Sequence, residues 1–154
     1  RMIRMKKEDI LVINAEADDY KDAIRCAGNY LYTQGYVKDN FVEECIKREV
    51  LYPTGLPTAT PIAIPHCASK FVEKESMCVL RLKDSVDFQR IDDAEQSVST
   101  SLIFNLALKN DEEHVVFLQK FISALGSEDG DFVKDCMTMN CEEVPELFEK
   151  YNIL

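Results

Sequence analysis

The chain lacks most of what would mark a membrane, secreted, metal-binding or nucleic-acid-binding protein. No stretch of its 154 residues approaches the roughly 18 consecutive apolar residues of a membrane span. Residues 1–14 mix charge into their apolar positions, unlike a signal peptide. With 18 Lys and Arg against 28 Asp and Glu, the net charge is −10, so the basic stripe of a nucleic-acid surface is missing. An acidic balance suits docking onto a partner with a basic face. Six cysteines (Cys26, Cys45, Cys67, Cys78, Cys136 and Cys141) form no CxxC pair and fall mostly in periodic apolar segments, which reads as reduced core filler. There are two histidines, His66 and His114, and no HExxH pattern, so no metal centre is expected. These absences predict a soluble, cytoplasmic chain. Its 46% hydrophobic content predicts a single domain spanning 1–154 with one sizeable core.

What the chain does have is concentrated at residues 52–67, YPTGLPTATPIAIPHC, which hold four of its five prolines. Each proline fixes its own φ and drives the residue before it (Tyr52, Leu56, Thr60 and Ile64) out of the helical region, so the segment is stiff and extended. Residues 62–64 read as a short strand. His66 then stands at its end, where reactive groups commonly sit in α/β folds. With a free pKa of ~6.5, much of such an imidazole is a neutral nucleophile at cellular pH. The plainer reading of a lone histidine at a strand end is a structural or solvated side chain.

The remaining pattern alternates strands and helices without linker or repeat. Residues 10–13 read as a strand closed by Asn14. Asp18 or Asp19 caps a helix carrying Tyr20, Ala23, Ile24, Ala27 and Leu31 on one face, with Gly35 as a left-handed stop. A second helix follows Asp39, its buried stripe Phe41, Val42, Cys45, Ile46 and Val50. Residues 76–82 and 98–108 read as strands, the second apolar enough to be central, with 86–88 as a short edge strand and IDDAEQS as a polar loop. Asn110 with Glu113, and Asn140 with Glu143, make capping boxes. The first opens a helix with Val115, Leu118, Phe121, Ile122 and Leu125 inside, ended by Gly126. A short helix is predicted over 127–136, and the last carries Val144, Leu147, Phe148 and Tyr151 on its apolar face. The whole predicts an α/β fold, one mixed sheet with helices on both faces.

His114 sits in the first turn of the Asn110 helix, on the face of Leu118, Phe121 and Leu125. The positive helix end disfavours an imidazolium there, so the ring suits a neutral donor to an anion; a core-edge histidine is the plainer alternative. Cys67 adjoins His66, but neighbours on an extended chain point to opposite faces, which argues against a thiol–imidazole pair.

Arg48-Glu49, PTGL at Pro53 to Leu56 and AIPH at Ala63 to His66 together resemble the fructose/mannitol-type (type 2) IIA domain of the sugar phosphotransferase system. Within it, PHC at Pro65 to Cys67, VDFQ with Asp92-Asp93 and the C-terminal FEKY look most like the galactitol-specific branch. The resemblance runs from about Ile10 to the C-terminus. It implies a phosphotransferase component in which His66 takes a phosphoryl group through a loose, in-line transition state. On that reading His66 reacts through Nε2 while a backbone carbonyl holds the other nitrogen. Arg48 supplies a bidentate guanidinium fork to the oxygens, and Thr54 and Gly55 add a hydroxyl and N–H groups. His114 lies beside His66. Glu49 either orients Arg48 or balances charge near the helix end. No metal or organic cofactor is implied.

The resemblance also implies partners: the phosphocarrier HPr as donor and a cysteine of a cognate IIB protein as acceptor, serving a membrane IIC permease. Both would dock on overlapping surface around His66, with Leu56 and Ile64 as apolar contacts. The alternative is a regulatory, nitrogen-type IIA paralogue, or a phosphorylation-controlled IIA-like domain, that feeds no permease.

Overall fold

The structure, a computed structural model, describes residues 5–109, 112–126 and 131–154, leaving aside the side chains of residues 112–114. In chain order its elements are β1 (Ile10–Ala15), α1 (Tyr20–Thr33), α2 (Phe41–Leu51), β2 (Gly55–Leu56), β3 (Ile62–Ala63), β4 (Ser76–Gln89), β5 (Ser97–Ala107), α3 (Glu112–Leu125), α4 (Asp131–Thr138) and α5 (Val144–Lys150). Five strands form one mixed sheet in the order β1-β4-β5-β3-β2. β1 runs parallel to β4, β4 antiparallel to β5, β5 parallel to β3, and β3 antiparallel to β2. The apolar run of the β5 sequence does make it the central strand.

Both faces of the sheet are covered because alternate strand residues point to opposite sides. Met77 and Val79 of β4, with Leu102, Phe104 and Leu106 of β5, meet Phe121, Phe132 and Phe148 from α3, α4 and α5. Phe104 and Phe121 pack edge-on at 5.1 Å, as do Phe132 and Phe148 at 5.2 Å. Such pairs add about 0.5–1.5 kcal/mol each beyond the area they bury. On the other face Cys78, Leu80, Ile103 and Ala107 pack on α1 and α2 through Ala23, Ile24, Ala27, Leu31, Phe41 and Cys45.

Helix α1 begins and ends as its sequence predicts. The Asp19 carboxylate accepts the Asp22 N–H at 2.8 Å, and Gly35 takes φ +84° after the helix, a conformation that favours glycine. Elsewhere the pattern misleads. Asn14 does not close β1 but continues it, paired with Arg81. Residues 86–88 are no separate edge strand. They belong to β4 and pair with β5 beyond an irregularity between Arg81 and Val86. Val50 lies half exposed rather than on the buried stripe of α2. On α3 the inward face is Phe117, Phe121 and Leu125, while Val115 and Ile122 face out; the stripe follows the i, i+4, i+8 row. Asn140 does not cap α5 with its side chain. Glu143 occupies the N-cap, and the Asn140 carbonyl accepts from Glu143 and Val144. The Asn110–Glu113 capping box and the start of the predicted 127–136 helix lie outside the described residues.

Candidate functional site

The proline-rich segment leaves α2, forms the two-residue strand β2, turns, and returns as β3 beside the central strand. Gly55 pairs with Ala63, and its carbonyl accepts the Ile91 N–H at 2.8 Å, tying the segment to the β4–β5 hairpin. The contact is too close for any larger residue. A Cβ on Gly55 would lie 2.7 Å from the Gln89 carbonyl oxygen, 2.9 Å from Val98 Cγ2 and 3.1 Å from the Phe88 carbonyl oxygen. The glycine of the PTGL motif therefore serves close backbone approach to the hairpin.

His66 follows directly. Its Nδ1 lies 2.8 Å from the Ile64 carbonyl oxygen. A carbonyl only accepts, so Nδ1 carries the proton and the lone pair belongs to Nε2. Neighbouring peptides are anchored on both sides. The Ile64 N–H donates to Thr54 Oγ1 at 3.1 Å, and the Pro65 carbonyl accepts from Leu106 N and Asn105 Nδ2, both at 3.0 Å. Proline, lacking an N–H, adds no competing donor between them. Asn105 stands fully buried among apolar residues of β5, and that polar residue in an apolar strand is the signal that marks it as part of this anchorage.

Glu49 turns inward. It is 3% exposed, accepts the Thr54 N–H at 2.7 Å on Oε2, and accepts the Thr54 hydroxyl at 2.9 Å on Oε1. Burial pushes its carboxyl up to about 7, against the lowering effect of the Thr54 bonds and of Arg48. Glu49 thus spends both carboxylate oxygens on Thr54 and meets Arg48 only through its charge, and Thr54, itself buried, gives its hydroxyl proton to Glu49 instead of presenting it to a ligand. The spacing Phe41, Cys45, Glu49 already placed Glu49 on the buried stripe of α2.

Arg48, the next residue back, is exposed and stacks over the Tyr52 ring at 5.2 Å. Among the described residues it has no carboxylate partner. Cys67 directs its thiol at the Phe41 carbonyl, 3.8 Å away, and contacts Cys45. Burial pushes the Cys45 thiol far above the ordinary range, so that sulfur is no activated nucleophile. His114 lies in the first turn of α3, and its side chain falls outside what the structure describes. Ile64 is buried in the core and cannot dock a partner; the exposed large apolar residues nearby are Leu51 at the end of α2, Tyr52 on the segment and Ile91 on the hairpin beside it. In that hairpin Arg90 pairs with Asp92, and Asp93 accepts from Glu95 and Gln96, so the Asp92-Asp93 pair shapes the turn. No helix among the described residues is long and apolar enough to cross a membrane.

The family model described as phosphoenolpyruvate-dependent sugar phosphotransferase system, EIIA 2, matches residues 4–151. The galactitol-specific EIIA component of Escherichia coli strain K12 is 29% identical over 134 residues, covering 86% of this chain and 87% of the relative. The mannitol-specific IIA component of Geobacillus stearothermophilus is 34% identical over 119 residues, 75% of each chain. Among solved structures, the complex of enzyme IIA for mannitol with phosphorylated enzyme IIB from Escherichia coli superposes with a TM-score of 0.72 at 26% identity, covering 96% of this chain and 98% of that one.

Proposed function

The chain belongs to the EIIA 2 family of the phosphoenolpyruvate-dependent sugar phosphotransferase system, and from that premise we propose that His66 is its phosphoryl carrier. The observation that carries the reading is the Nδ1 bond to the Ile64 carbonyl, which puts the lone pair on Nε2. As Nε2 bonds to phosphorus, the P–N bond of the donor's phosphohistidine breaks and the electron pair returns to the donor ring. His66 gains positive character in that step, and the fixed Ile64 carbonyl accepting from Nδ1–H stabilises it. The three equatorial oxygens carry the dispersed charge. Arg48, exposed and with its guanidinium over the Tyr52 ring, is the side chain we assign to brace them. Thr54 and Gly55 support the loop instead.

The donor in this reading is phospho-HPr, and the acceptor is a cysteine on a cognate IIB protein serving a IIC permease, with galactitol as the sugar. A IIA–IIB complex among the structural relatives and a galactitol-specific relative support these assignments. A relay of this kind works in the cytoplasm and needs no metal or organic cofactor. Incubation with phosphoenolpyruvate, enzyme I and HPr is expected to label the protein once, with an acid-labile, alkali-stable bond. Transfer onward to a galactitol IIB should be at least tenfold faster than to a mannitol IIB. Equal rates, or a preference for the mannitol protein, would overturn the sugar assignment. Absence of any label would overturn the carrier.

A further inference from the structure

We propose that Glu49 is a positioning residue for His66, acting through the Thr54 hydroxyl and the Ile64 backbone to aim the carbonyl that holds the imidazole. The inference rests on the reading of His66 as phosphoryl acceptor and adds how the acceptor nitrogen is selected.

Thr54 Oγ1 has one proton. The Ile64 N–H occupies one of its lone pairs at 3.1 Å, so that proton must point elsewhere, and the Glu49 carboxylate takes it at 2.9 Å. The second carboxylate oxygen accepts the Thr54 N–H at 2.7 Å, fixing the threonine backbone as well as its side chain. All three groups are buried: Glu49 is 3% exposed, Thr54 3% and Ile64 6%. Water therefore does not substitute for a lost member. The chain of bonds ends one peptide later, where the Ile64 carbonyl meets His66 Nδ1 at 2.8 Å. Asn105 and Leu106 clamp the following carbonyl, that of Pro65, from the central strand. The Ile64–Pro65 peptide is thus held from both ends, one end by α2 through Glu49 and the other by β5. A rotation of this peptide would release Nδ1–H and let the proton move to Nε2, which removes the lone pair that must attack.

Glutamine at position 49 keeps size and one acceptor, but its amide nitrogen replaces the nearer oxygen and donates to Thr54 Oγ1, which leaves the hydroxyl proton only the longer 3.1 Å contact to the acceptor that the Thr54 N–H already uses. Valine at position 54 removes the link outright, whereas serine restores it. The test is the ring nitrogen-15 spectrum of His66 in the unphosphorylated protein above the histidine titration, with amide fingerprints to verify the fold, and in parallel the rate of phosphoryl acceptance from phospho-HPr. Wild type and Thr54→Ser should show a protonated Nδ1 and a bare Nε2. Glu49→Gln and Thr54→Val should show the averaged shifts of a tautomer mixture and accept phosphate about tenfold or more slowly. Unchanged ring shifts in both Glu49→Gln and Thr54→Val would overturn the proposal, as would Thr54→Ser behaving like Thr54→Val. If Glu49→Gln does not fold, the valine and serine pair decides alone. The spectrum needs no phosphoryl transfer, so it reports on positioning even if His66 proves not to be the acceptor, which labelling of His66→Ala reads separately.

Discussion

The Ile64 carbonyl and His66 Nδ1, two residues apart and 2.8 Å from each other, fix which imidazole nitrogen faces outward chemistry. Proline between them makes this local geometry stiff, because Pro65 restricts both its own φ and the conformation of Ile64. Four testable consequences follow from the way that pair is built into the fold.

The buried Glu49 makes stability depend on pH. Its carboxyl rises from an ordinary 4.5 to about 7 in the folded chain, so the fold favours the protonated form. That contribution is complete below pH 4.5 and is lost as pH rises through about 7, because the folded state binds more protons than the unfolded chain in that window. Arg48 opposes the shift, and Tyr20 and Cys45 feel the same charge through their own raised values. Urea unfolding of wild type and Glu49→Gln at pH 5 and pH 8 measures it. The advantage of wild type over the variant should shrink by up to about 3 kcal/mol between the two. A difference that stays constant, or grows with pH, would remove Glu49 as the titrating group.

Gly55 is expected to tolerate no side chain. Its Cβ would meet two backbone oxygens of β4 within 3.1 Å, and backbone in a sheet cannot step aside as a flexible side chain does. Gly55→Ala should lower stability by about 1–3 kcal/mol, measured by urea unfolding. An unchanged midpoint would mean that the segment is free to lift away from the hairpin.

Arg48 should act in the transition state more than in docking. Arg48→Lys retains charge and a cation over Tyr52 but loses the planar fork, so it should transfer phosphate more slowly than wild type and faster than Arg48→Ala. HPr affinity should change less than the transfer rate in both. Rapid-quench rates beside binding constants decide this. If both variants stay within about threefold of wild type, Arg48 is an ordinary exposed charge contributing ~1 kcal/mol or less.

The sequence made His66 conspicuous because prolines act locally and leave a local trace. It made the central strand conspicuous because a strand covered on both faces is apolar without interruption, and β5 is so from Leu102 to Ala107 except at Asn105. What could not be seen depends on distant partners. β2 is two residues long and exists only because Gly55 fits against β4. Residues 86–88 carry a strand pattern of their own, but they continue β4 past exposed residues 83–85, which carry none, and only the pairing with β5 makes the two parts one strand. Arg48 and Glu49 read as a charged pair at a helix end, while packing of Cys45 and Ile46 sends one of them inward and the other outward. Thr54 and Gly55 were legible as a motif, but their hydrogen-bond and steric partners lie on α2 and β4.

The most direct measurement is the nitrogen-15 and phosphorus-31 spectrum of the protein after phosphorylation by phosphoenolpyruvate, enzyme I and HPr. One phosphoryl group on Nε2 of His66, with the proton retained on Nδ1 and no label in His66→Ala, is the predicted result. Phosphorus on Nδ1, on Cys67, or on a residue that still labels in His66→Ala would contradict it.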